Sequence, residues 1–70
     1  MTTNQLLERI EVNPKVLAGK PIIKGTRLSV QFIVGLLGQG VSINEILHEY
    51  YRLKKEDILA CLVFEASGIQ

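Results

Sequence analysis

Gly19-Lys20-Pro21-Ile22-Ile23-Lys24-Gly25-Thr26-Arg27-Leu28-Ser29-Val30 is the run on which the reading of this chain turns. Proline fixes its own φ and keeps the residue before it out of the helical region, so Pro21-Ile22-Ile23 is expected as a short extended piece. Gly25-Thr26 should break that piece with a turn, because glycine accepts backbone angles that isoleucine cannot. Ser29 then offers a side-chain oxygen to the free amides of a helix starting near Val30. Four cations (Lys15, Lys20, Lys24 and Arg27) lie between Val12 and Leu28, with no acid among them.

Upstream of the run, Met1 to Asn4 is polar and expected to fray, and residues 1–9 read as a lead-in. Leu6, Leu7 and Ile10 have helical spacing over too short a stretch to assign. Ile10-Glu11-Val12 alternates apolar and polar and is a second candidate strand. Its pairing with Ile22-Ile23, within one chain or between two, is left open by the pattern. Val16-Leu17-Ala18 is apolar and Gly19 closes it.

Downstream the period becomes helical. Val30, Ile33, Val34 and Leu37 form one stripe and Phe32 and Leu36 a second, so a helix over Val30–Gln39 is apolar on nearly all sides and should be covered on nearly all sides. Gly35 and Gly38 each cost about 1 kcal/mol against alanine in a helix, which suggests close approach of another backbone. Phe32, Ile33, Leu36 and Leu37 are accordingly read as a subunit interface, the alternative being a core helix of a single subunit. Gly40 should cap this helix. Ser42 and Glu45 form a capping box for the next, whose core face is Ile43, Ile46, Leu47 and Tyr50. After a connection through Tyr51–Lys54, a third helix runs from about Lys55 to Ala66. Glu56 and Asp57 in its first turn suit the helix dipole.

The totals bound the function. Seventy residues make one domain (1–70: lead-in 1–9, strands and turns 10–28, helices 29–67), with 47% hydrophobic and 21% charged residues. So short a chain is marginally stable alone. One cysteine, Cys61, excludes an internal disulfide, and one histidine, His48, offers no metal set. Association with another subunit is the expected route to stability. The net charge is +1, yet residues 12–27 are basic, and residues 42–70 carry five acids against three bases. No apolar run has membrane-spanning length and no charged-then-apolar leader opens the chain, so a cytoplasmic protein is expected. Parts for a catalytic site are missing: His48 beside Glu49 has no nucleophile near it in sequence. No cofactor and no enzymatic activity are expected.

The second and third helices have the lengths of a helix-turn-helix pair. Arg52, Lys54 and Lys55 would then meet nucleic acid at the start of the second helix of the motif, although Glu56 and Asp57 follow at once and oppose phosphate. The alternative is that these helices only close a small core.

The order Asn13-Pro14, then Gly19 to Val30, then Gly40-Val41-Ser42, Ile46 to Tyr50 and Leu53 to Ile58 closely resembles the family named domain of unknown function 433, over about residues 8–66. One departure is Tyr51, where that family usually has proline. The resemblance implies a mainly α, homeodomain-like three-helix fold behind a short β element. It also implies an antitoxin of the VapB kind that binds and silences a PIN-like nuclease toxin and, as a dimer, holds its own operator DNA. No catalytic residues come with it. Lys20, Lys24 and Arg27 are the candidate partner contacts. A PIN-like site is a cluster of acids, and the Arg27 guanidinium is suited to hold a carboxylate; its alternative is to fix its own turn. A stand-alone DNA-binding regulator and a plain interaction module are the competing expectations.

Overall fold

Two three-residue strands, β1 (Ile10–Val12) and β2 (Pro21–Ile23), pair antiparallel within the chain, with Ile10 opposite Ile23, Glu11 opposite Ile22 and Val12 opposite Pro21. This settles the choice the alternation left open. The computed structural model describes residues 1–68; positions 69–70 of the expected 1–70 domain lie outside the described residues. Among the described residues four α-helices stand around the small sheet: α1 (Thr3–Leu7), α2 (Val30–Gly38), α3 (Ile43–Glu49) and α4 (Lys55–Ala66). The fold is thus mainly helical with a two-stranded antiparallel sheet.

Helices α2, α3 and α4 fall where the sequence pattern puts them, and their caps are the expected ones at two of three starts. The Ser29 hydroxyl oxygen accepts from the Phe32 N–H at 2.9 Å. Ser42 Oγ accepts from the Glu45 N–H, and Glu45 Oε1 accepts from the Ser42 N–H, each at 3.1 Å. Those bonds favour the charged carboxylate, so the Glu45 pKa lies below its ordinary value, the backbone N–H of Ser42 being the main cause. Gly40, at φ 92°, takes the left-handed conformation that ends α2.

The N-terminus departs from expectation. Residues 1–9 are not merely a frayed lead-in, because Thr2 and Gln5 form a reciprocal capping box that starts α1. Leu6 of α1 is buried, and α1 packs against α4. Arg9, just before β1, reaches Asp57 in the first turn of α4, with Nη1 to Oδ1 at 3.0 Å. Asp57 Oδ2 also accepts from the Lys54 N–H at 2.9 Å, which caps α4. One carboxylate therefore closes the helix start and ties the front of the chain to its back.

Helix α4 is the centre of the fold and packs against α1, α2, α3 and β1. Ile58, Ala60 and Cys61 on it are fully buried. Ile58 and Cys61 join Ile23, Val30, Ile33, Ile46, Leu53 and Phe64 in one core. Each such aliphatic side chain stabilises the fold by roughly 1.5–3 kcal/mol. Cys61 behaves as a small hydrophobe: desolvation, with the Asp57 charge second, pushes its thiol up to about 12. It is un-ionised and unreactive at neutral pH.

Helix α2 is covered on one side only. Val30 and Ile33 are buried, Val34, Leu36 and Leu37 are half-buried, and Phe32 is 43% exposed. A methyl group added at Gly35 or Gly38 would meet nothing within 4 Å. The close backbone approach expected of these glycines is therefore not made inside this chain. Ile33, read from the pattern as an interface residue, is 0% exposed and belongs to the subunit's own core.

Candidate interaction site

The run that opens the sequence reading folds as β2 followed by the six residues Lys24 to Ser29 that join it to the start of α2. Ile23 N–H donates to the Leu28 carbonyl at 3.0 Å, and Ile22 bridges to Ser29, so the chain doubles back on itself. Gly25 at φ 81° supplies the left-handed step. Thr26 locks the loop: its hydroxyl donates to the Ile23 carbonyl at 2.7 Å and accepts from the Leu28 N–H at 3.0 Å. Its own N–H also donates to the Ile23 carbonyl, at 3.0 Å. With both ends pinned, Arg27 is left exposed beside Leu28.

Arg27 borders a surface depression of ≈ 330 Å³ whose walls are Leu17, Phe32 and Tyr50 and whose floor is Leu28 and Ser29. Phe32 and Tyr50 meet edge to face, ring centres 6.2 Å apart, a preferred aromatic geometry. A second depression adjoins it through the shared Leu28 and Tyr50, and Tyr51, Arg52 and Glu49 border that one. Tyr51 is 82% exposed and Leu17 44%. The two depressions make one face, with aromatic and aliphatic walls and a rim of two guanidiniums and one carboxylate.

Leu17 reaches that face by unusual backbone. Leu17 (φ 49°), Ala18 (φ 56°) and Gly19 (φ 81°) form a left-handed turn, closed by the Lys20 N–H donating to the Leu17 carbonyl at 3.2 Å. Each non-glycine residue held this way costs about 1–2 kcal/mol. Strain of this kind persists only where the surrounding structure dictates it.

The predicted partner contacts do not gather in one place. Lys20 and Lys24 flank β2 at opposite ends, about 13 Å apart at the rise of a strand. Lys20 lines a separate depression with Ser29, Gln31 and Glu65, and only Arg27 stands at the aromatic face. The predicted nucleic-acid residues Arg52, Lys54 and Lys55 are all exposed around the α3–α4 connection, so they do cluster. The helix behind them turns Leu59, Leu62 and Val63 towards its open side, half-buried or exposed. Of the expected interface, Phe32 is open and Leu36 and Leu37 are half-buried. Sequence reasoning passed over Leu17 and Tyr51 and placed Tyr50 in the core. Nothing in the letters Leu-Ala marks a left-handed turn, whereas the unpatterned Tyr51 beyond the last core position of α3 was a usable signal. Among the described residues no three His, Cys, Asp or Glu side chains come together as a metal site, and no helix is long and apolar enough to cross a membrane.

The family model described as a protein of unknown function, DUF433, matches residues 10–64, from the first residue of β1 to the last buried residue of α4. The chain belongs to the DUF433 family. A solved DUF433 member protein from Anabaena variabilis ATCC 29413 is 31% identical, with a TM-score of 0.79 over 90% of this chain. The chain spans 63% of that protein's length. No curated protein matches it. The match leaves α1 outside the region that defines DUF433 and keeps inside it the pinned loop, the left-handed turn and the aromatic face.

Proposed function

We propose that this DUF433 protein is the antitoxin of a type II toxin–antitoxin module, whose work is to bind and silence a PIN-like nuclease. The family resemblance suggests the role. The observation that carries the binding part of it is the open face of Leu17, Phe32, Tyr50 and Tyr51, edged by Arg27 and Arg52. Exposed tyrosine, phenylalanine and arginine around a shallow pocket is the composition of protein-binding hot spots. Among the described residues the ion pair within reach is Arg9–Asp57, which leaves the Arg27 guanidinium available to a carboxylate from outside. The open side of α2, with Gly35 and Gly38 uncovered, extends the surface a partner can occupy.

The test is co-expression with the adjacent reading frame. Induction of that neighbour alone should arrest growth, and this chain should restore it and co-purify with the neighbour at fixed stoichiometry. A neighbour that is no nuclease, or an arrest this chain does not relieve, overturns the antitoxin reading.

A second reading is a homeodomain-like helix-turn-helix regulator that binds DNA as a dimer. It is favoured by the exposed cluster of Arg52, Lys54 and Lys55 at the head of α4. It has less behind it, because the open side of α4 offers Leu59, Leu62 and Val63 and few groups able to bond base edges. Operator-fragment binding should fall steeply between 50 and 200 mM salt in that case, by roughly tenfold or more for three phosphate contacts. Binding that is absent or salt-independent removes this reading.

A further inference from the structure

We infer that the depression between Leu17, Phe32 and Tyr50 is the seat for one apolar side chain of an acidic partner segment, with Arg27 holding a carboxylate next to that side chain. The inference rests on the partner-binding reading and specifies it. Three observations meet at this seat. Its lining is mostly apolar, from Leu17, Leu28, Phe32 and the Tyr50 ring, and partly open, with Leu17 44% and Phe32 43% exposed. The adjoining rim carries Arg27 and Arg52 against Glu49, and a guanidinium fork matches a carboxylate bidentately. The backbone that carries the Leu17 wall is strained, since Leu17 and Ala18 both sit at positive φ.

The charge decides the occupant. A second copy meeting this face across a two-fold axis would present the same patch to itself, setting the basic rim of one copy near that of the other. An acidic segment from a different protein meets no such opposition. The seat therefore takes a stretch in which aspartate or glutamate flanks a phenylalanine or leucine.

The probe is a set of three synthetic peptides added to the full-length, ¹⁵N-labelled chain and followed by amide NMR. The first carries one phenylalanine between pairs of aspartates, the second the same phenylalanine between lysines, and the third a serine between aspartates. The first should produce saturable shifts at Leu17, Leu28, Phe32 and Tyr50 and at the Arg27 side chain, and the other two should not. Arg27→Gln and Leu17→Ala should each weaken that binding at least fivefold. Ala18→Gly, which relaxes the left-handed turn, should weaken it while leaving the melting temperature unchanged or raised; a merely structural role would lower the melting temperature instead. Absence of saturable shifts, equal shifts with the lysine peptide, or shifts of the same amides on concentrating the free chain would each overturn the seat. The two proposals fail separately. If the wild-type chain cannot rescue growth from its neighbour, the antitoxin reading falls. If Leu17→Ala and Arg27→Gln rescue as well as wild type, the seat falls and that reading stands.

Discussion

Thr26 is the point where the family-marking run can be broken with least change of shape. In Thr26→Val the side chain keeps its volume and its β-branch but loses the hydroxyl. Two bonds vanish, the 2.7 Å donation to the Ile23 carbonyl and the 3.0 Å acceptance from the Leu28 N–H. The first loss is softened, because the Ile23 carbonyl still accepts from the Thr26 N–H. The second is not, since the Leu28 amide is part-buried and has no other partner among the described residues. Leaving such a donor unpaired costs about 1–3 kcal/mol, so the total is about 2 kcal/mol. For a domain of this size that lowers the melting temperature by about 10 °C. Thermal and urea unfolding followed by circular dichroism measure it, and amide hydrogen exchange at Leu28 should quicken in the same variant. Thr26→Ser restores the hydroxyl and should recover most of the loss. If the valine variant melts within about 2 °C of wild type, the hydroxyl does not pin the loop, and the orientation of Arg27 needs another cause.

Two more perturbations probe the joins of the fold. Arg9→Met and Asp57→Asn, singly and together, should show a coupling of about 1 kcal/mol in urea unfolding, set towards the low end for charged hydrogen bonds because the two side chains stay 26% and 13% exposed; a coupling near zero would mean that α1 and β1 are held to α4 by apolar contact alone. Cys61 sets an alkaline limit: its folded pKa is raised from 9.0 to about 12, so the unfolded chain releases the thiol proton first, and the stabilisation present below pH 9 is lost at up to about 1.4 kcal/mol per pH unit towards pH 12. Unfolding free energies from pH 8 to 11 should decline in wild type more steeply than in Cys61→Ala, and parallel profiles would show that the thiol is not the group responsible.

How far the fold was legible depends on how local each determinant is. Ser29, and Ser42 with Glu45, act over three residues, and their helices start where the letters say. Thr2 and Gln5 carry the same signal at the front of the chain. There the reading did not use it and found only an apolar run too short to assign, which a single buried Leu6 is enough to anchor. Asp57 shows the opposite limit. Its place in the first turn of α4 was legible, but its bond to Arg9 joins residues 48 apart in sequence, and no spacing rule reaches so far. The interface reading of α2 divided in the same way. Periodicity marked Ile33 and Phe32 alike as apolar, and only the packing of α4 and β2 against one side of α2 separates the buried residue from the open one.

The candidate site emerges by subtraction within one short run. Ile22 and Ile23 are consumed by the core, Gly25 by a left-handed step, Thr26 by the loop it locks and Ser29 by the cap of α2. Pro21 sits opposite Val12 in the sheet. Each of these residues has a physical reason to be where it is that makes no reference to a partner. The Arg27 side chain has none, for it caps nothing, bridges to no acid among the described residues and lies exposed at the lip of an aromatic pocket. A loop held by four hydrogen bonds is more than an exposed, solvated cation requires. It is what a guanidinium requires if it must meet a carboxylate in one geometry, because each rotor frozen before binding is one that binding need not freeze.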